Sequence, residues 1–241
     1  MPFSERTGKG IRIAVIDSGV HAAHPHVGGV SAGIGIRDDG SIVDDDVDRL
    51  GHGTAVTAAI REKVPDADIF AIKVFWRSLA TDVATLVRAI EEAAARGAAV
   101  INLSLGTSDM RHRDALQAAV ATARARGALV VAAYDDAGVS WLPGCLEEAI
   151  GVRADWNCAR ETFDIAVVTD RRLLVTSAYP RDIPGIPRER NLSGVSFAVA
   201  NATGFVARAL EEAPGRGILG LFTVLESAAL TPRDQRRIVR A

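Results

Sequence analysis

The sequence predicts an α/β domain of three layers, a mainly parallel central sheet with helices on both faces. Two observations carry this. Short apolar runs alternate with longer amphipathic ones up to about residue 153, which is the strand-helix-strand rhythm of parallel sheets. Hydrophobic residues make up 48% of the 241 positions, enough to cover both faces of a buried sheet. A chain of this length fits one large α/β domain or two small ones, and no internal repeat or low-complexity linker divides it. One domain over residues 1–241 is the simplest reading.

The elements follow in order. Residues 11–16 (IRIAVI) read as a buried strand ending at Asp17. Residues 51–61 read as a helix of small residues, and 68–74 (DIFAIKV) as a second strand. Residues 82–96 place apolar side chains at helical spacing and stop before Gly97. Residues 98–103 (AAVINL) form a third strand, 114–126 a helix that stops before Gly127, and 128–133 (ALVVAA) a fourth strand. Beyond 153 the rhythm weakens. Residues 165–168 and 172–176 suggest a β-hairpin around Asp170 and Arg171, and 179–190 is a loop rich in proline and charge. Helix returns over 196–211, with one or two more expected in 219–240. In parallel sheets functional groups gather at the carboxyl ends of strands, and Asp17, Ser104, Asp135 and Asp136 all follow strand ends.

Charge excludes some classes of function. Lys+Arg 28 against Asp+Glu 30 gives a net charge of −2, whereas nucleic-acid and anionic-membrane surfaces need clustered positive charge. Neither partner is expected. Two cysteines, Cys145 and Cys158, are too few for a disulfide-stapled secreted scaffold. One bridge between them is open, and two reduced thiols are the plainer reading. The first ten residues (MPFSERTGKG) are polar, the apolar run after them is too short for a signal-peptide core, and no run reaches membrane-spanning length. The chain therefore reads as soluble and cytoplasmic.

Ser, His and Asp together can make a nucleophile. An imidazole takes the proton of the weakly nucleophilic hydroxyl, and a carboxylate fixes the imidazole's tautomer and stabilises its charged form. Residues 14–20 read AVIDSGV, 51–54 GHGT, 101–106 INLSLG and 194–198 GVSFA at a helix start. These four segments, in this order, resemble the subtilase family, whose Asp-His-Ser chain order they share. The resemblance is good over residues 9–152, returns at 191–210, and is poor between. It implies a subtilisin-like fold in which Asp17 orients His52, His52 is general base and then general acid, and Ser196 attacks the scissile carbonyl. Read singly, Asp17 is a turn former, His52 a loop residue and Ser196 a helix cap. The resemblance also implies that Leu103, Ser104, Leu105 and Gly106 pair with an extended peptide or protein substrate, by β-augmentation. Residues 77–83 form the opposite wall, and Ala132 and Ala133 border the site.

The sequence departs from the family in four places. Asp136, in VVAAYDDAG, stands where the family has an oxyanion-binding Asn, so the oxyanion hole is assigned to Asp136 and Ser196, with three options open. Asp136 is a buried protonated donor, the Ser196 amide acts alone, or catalysis is weak or lost. Trp141, in SWLPG, matches the Gly at the base of the family's first specificity pocket. There it fills the pocket and admits only Gly or Ala before the scissile bond, unless the loop is shifted and Trp141 packs in the core.

Third, no calcium-binding insert interrupts 53–65. The acidic run Asp38, Asp39, Asp44, Asp45, Asp46 and Asp48 reads as solvated charge rather than a cation site. His21, His24 and His26 read as structural, with His24-Pro25 matching a His-Pro of the family, so no metal and no cofactor is expected. Fourth, no prodomain is visible before residue 11, which suggests an intracellular enzyme that folds unaided or a processed product.

The leading reading is an endopeptidase for limited processing after small residues, such as leader-peptide removal. A non-cutting peptide- or partner-binding module is the alternative, and acyl transfer to an amine, giving a ligase, is a third.

Overall fold

A computed structural model describes residues 1–229 of the chain. Its strands are β1 (Arg12–Asp17), β2 (Ala32–Ile36), β3 (Ile42–Val43), β4 (Asp68–Lys73), β5 (Val100–Leu103), β6 (Leu129–Ala133), β7 (Asp135–Asp136), β8 (Val139–Ser140), β9 (Ile150–Asp155), β10 (Phe163–Val168) and β11 (Arg171–Ser177). Its helices are α1 (His52–Lys63), α2 (Val83–Ala95), α3 (Arg113–Ala125), α4 (Val195–Glu212) and α5 (Ile218–Ala228). Of the helices expected over 219–240, α5 covers the first part and the remainder lies outside the described residues.

Nine strands form one sheet in the order β10-β11-β9-β6-β5-β1-β4-β2-β3. The pairings from β2 to β11 through the centre are parallel, and β3 and β10 add antiparallel edges. The expected hairpin is β10–β11, turning through Thr169 and Asp170 at φ of 47° and 65°, the backbone that a tight two-residue hairpin turn requires.

Successive strand residues point to opposite faces, and two cores result. Ile13, Val15, Val100, Val131 and Ala133 meet α1, α4 and α5 on one face. Ala14, Ile16, Ile101, Leu103 and Ala132 meet α2 and α3 on the other. Helix α4 is buried along most of its length, as a helix apolar nearly all round must be. Strand β1 is central, and the chain leaves it toward β2 and β4 on one side and β5 on the other. Open α/β sheets place their sites outside such a switch point, at the carboxyl ends of the strands.

Candidate active site

Asp17 closes β1, where its carbonyl accepts the amides of Val74 at 2.8 Å and Phe75 at 3.3 Å. Its side chain is fully buried. Both carboxylate oxygens lie on Nδ1 of His52, at 2.8 and 3.0 Å, and Oδ1 also accepts the Ser18 amide at 2.7 Å. His52 is the first residue of α1, and its side chain is 16% exposed. The glycine after it is a matter of space. A Cβ on Gly53 would stand 2.1 Å from the Gly19 carbonyl oxygen, so a side chain there would push the helix start away from β1. Burial works to lower the His52 pKa, but the hydrogen bond and charge of Asp17 and the charge of Asp48 outweigh it and hold the pKa above the ordinary histidine value.

Asp48 is part of this assembly and not of a solvated charge run. Its Oδ1 accepts from the Ser18 hydroxyl and from the amides of Leu50 and Gly51, and its Oδ2 from the amide and hydroxyl of Thr54. It thereby satisfies donors at the N-terminus of α1 and ties them to Ser18, whose hydroxyl in turn accepts the Gly53 amide at 2.9 Å. Half-burial opposes its charge, yet the bonds from Thr54, Leu50 and Gly51 hold its carboxyl below the usual carboxylate range.

Ser196 lies in the first turn of α4, where helix amides lack intrahelical acceptors. A buried polar chain sets its position. Thr203 donates to Asn102 Oδ1 at 3.0 Å, Asn102 Nδ2 donates to Ser104 Oγ at 2.9 Å, and Ser104 Oγ donates to the Ser196 carbonyl at 3.1 Å. The Ser196 hydroxyl donates to the Ser104 carbonyl at 3.1 Å. No hydrogen bond joins Ser196 to His52 in this arrangement, as is common before substrate binds.

His52, Ser104 and Ser196 open on one cleft of about 620 Å³. Leu105, Gly106, Ala133 and Trp141 line it, and residues 79–83 form the facing wall.

A family model described as the subtilase family matches residues 8–150. The chain belongs to the subtilase family. It is 30% identical over 228 residues to subtilisin Savinase of Lederbergia lenta, spanning 86% of this chain and 79% of that protein. Identity to an alkaline protease of Alkalihalobacillus alcalophilus is also 30% over 86% of the chain, which spans only 56% of that relative's length. A solved lanthipeptide protease superposes with a TM-score of 0.69 at 23% identity, over 95% of this chain and 83% of that one.

Two expectations for this subtilase need correction. Leu103 is paired with Ile16 and Ala132, and Ala132 with Leu103 and Gly151, so neither offers a free backbone edge, and their side chains do not face the cleft. Strand alternation sends both into the core under α2 and α3, while Ser104 and Ala133, one residue on, line the site. Asp136 is exposed and does not line the cleft. It pairs with Val139 across a tight turn in which Ala137 and Gly138 have φ of 49° and 80°, and so it lacks the burial a donor role needs. Its neighbour Asp135 instead forms a two-pronged ion pair with Arg153 at 2.6 and 2.8 Å. Cys145 and Cys158 are free thiols, which agrees with the plainer of the two readings.

Trp141 is both a cleft residue and a core contact. Its indole Cε3 lies beside Gly106, 3.7 Å from where a Cβ on that glycine would stand, and the side chain packs against the core under α4. Its indole N–H is buried with no hydrogen-bond partner among the described residues.

Proposed function

We propose that this chain is a serine endopeptidase that cuts extended peptides after a small residue. The observation that carries the reading is the buried Asp17 carboxylate on His52 Nδ1, opening on the cleft that holds Ser196. Held this way, His52 carries its proton on Nδ1 and presents Nε2 as a base. On substrate binding the Ser196 hydroxyl leaves the Ser104 carbonyl and passes its proton to His52 as Oγ bonds to the scissile carbonyl carbon. The proton then moves from His52 to the leaving amine as the C–N bond breaks. Water, deprotonated by His52, releases the acyl half and restores the hydroxyl.

The oxyanion falls to the Ser196 amide at the start of α4, where the helix dipole also favours negative charge. Residues 104–106 offer the edge along which the acyl half lies extended. Trp141 beside Gly106 crowds the space for the side chain before the scissile bond, which supports a preference for Gly or Ala. Limited processing, in the form of removing a leader from a ribosomally made peptide, fits such a narrow site better than digestion of bulk protein.

The test is intact mass after a fluorophosphonate probe, on wild type and Ser196→Ala. One adduct on wild type alone is expected. An unlabelled wild type overturns the reading.

A further inference from the structure

A second cavity, of about 530 Å³, is lined by residues that flank the site in the sequence. It contains Gly51 and Thr54, which flank the His52-Gly53 pair, and Leu192, in the loop that leads to Ser196. It shares no lining residue with the substrate cleft.

The walls are largely apolar, with Ala55, Pro180, Ile183 and Leu192, and the polar groups set among them are mainly hydrogen-bond donors. His21, His24 and His26 stand in a row, their ring centroids 6.5 and 5.3 Å apart. His24 Nδ1 accepts the His26 amide at 3.2 Å, so a neutral His24 carries its proton on Nε2 as a donor. None of the three makes an ion pair among the described residues. Arg181 also lines the cavity and pairs loosely with Glu62, whose Oε1 lies 4.0 Å away while its Oε2 is held by Arg160. Its positive charge is felt inside. After burial, Arg181 is the largest influence lowering the His26 pKa, followed by His24 and opposed by Glu62. Asp48, the carboxylate in the lining, has both oxygens occupied by five donors.

We infer that this cavity holds the leaving-group half of the substrate and selects an acidic side chain within its first three residues. The inference rests on the endopeptidase reading above. A carboxylate entering here meets Arg181 and imidazole donors, whereas a lysine ammonium finds the oxygens of Asp48, the charged carboxylate of the lining, already taken up by five protein donors.

The experiment uses quenched fluorogenic peptides with one fixed acyl half ending in Ala, and Glu, Ala or Lys at each of the first three leaving-side positions. A chromogenic anilide of the same acyl half has no leaving-side residues and serves as the control. Expected at one position is a kcat/KM for Glu about threefold to fivefold above Lys, the size of a partly exposed charge pair. Arg181→Glu should abolish or invert that order, Arg181→Gln should reduce it, and both should leave anilide turnover unchanged. Equal turnover of Glu and Lys peptides by an enzyme active on the anilide overturns the selection alone, as does a preference that survives Arg181→Glu. Inertness of the wild type toward the anilide and every peptide overturns the endopeptidase reading beneath it.

Discussion

Ser104 and Ser196 hold each other by two reciprocal hydrogen bonds, each hydroxyl donating to the other's carbonyl at 3.1 Å. One bond positions the backbone of α4 against the end of β5, and the other parks the Ser196 hydroxyl. They are separable by mutation, because only the first uses the Ser104 side chain. Ser104→Ala removes the donor to Ser196 and the acceptor of Asn102 Nδ2 in a buried site. The expected cost is about 1–3 kcal/mol of stability, read by denaturant unfolding, with a fall in kcat larger than any change in KM. An unchanged unfolding midpoint would show that the Asn102–Ser104 chain does not hold α4.

The pH dependence follows from the groups on His52. In the proposed mechanism acylation needs neutral His52, and Asp17 and Asp48 together hold its pKa above the ordinary 6.5. The acid limb of fluorophosphonate labelling should therefore have its midpoint above 6.5. Asp48→Asn removes one of the charges that raise the pKa, so the midpoint should move down, toward acid. A role for Asp48 in capping alone predicts a lower Tm with the limb unmoved, and that result would sink the electrostatic part of the argument.

Trp141 gives a prediction about specificity. Trp141→Gly opens the cleft beside Gly106 and should raise turnover of peptides with Phe before the scissile bond relative to those with Ala. A few methylenes' worth of new contact makes the change in that ratio about tenfold or more. A ratio that does not move would mean that Trp141 belongs to the core under α4 and does not border the residue being read.

Asp17, His52 and Ser196 were legible as a candidate site because each stands at the border of an element, inside a short segment that resembles a subtilase motif. Asp48 and Asn102 were not. A carboxylate among five others looks solvated until the fold brings Ser18 and Thr54 to it, and a lone amide in an apolar strand does not reveal its partners on α4. Strand β2 (AGIGI) carries two glycines, which weaken the strand signal. It is recruited by pairing with β4. Asp136 was placed by matching the family's segment after the fourth strand, and the turn at Ala137 and Gly138 redirects it, a loop-level change that sequence spacing does not encode.

Lys63 shows a cost carried by the scaffold. It is fully buried, its Nζ has no hydrogen-bond partner among the described residues, and Glu62 lies 3.7 Å away, too far for a hydrogen bond. Burial outweighs the Glu62 charge and brings its pKa down from 10.5 to about 8. Between those two values the unfolded chain binds the proton and the folded chain does not, so stability rises with pH across that window. Below pH 8 the folded state carries the full penalty, about 3 kcal/mol from the size of the shift. Lys63→Met keeps the aliphatic stem beside the Phe205 ring, 5.5 Å from the present ammonium, and removes the charge. It should stabilise the protein at pH 7 by an amount of that order and flatten the rise in stability from pH 8 to 10.5. Denaturant unfolding of both proteins at about pH 7 and about pH 9.5 measures this. If Lys63→Met is no more stable at the lower pH, the ammonium is compensated by Glu62 and the buried charge costs nothing.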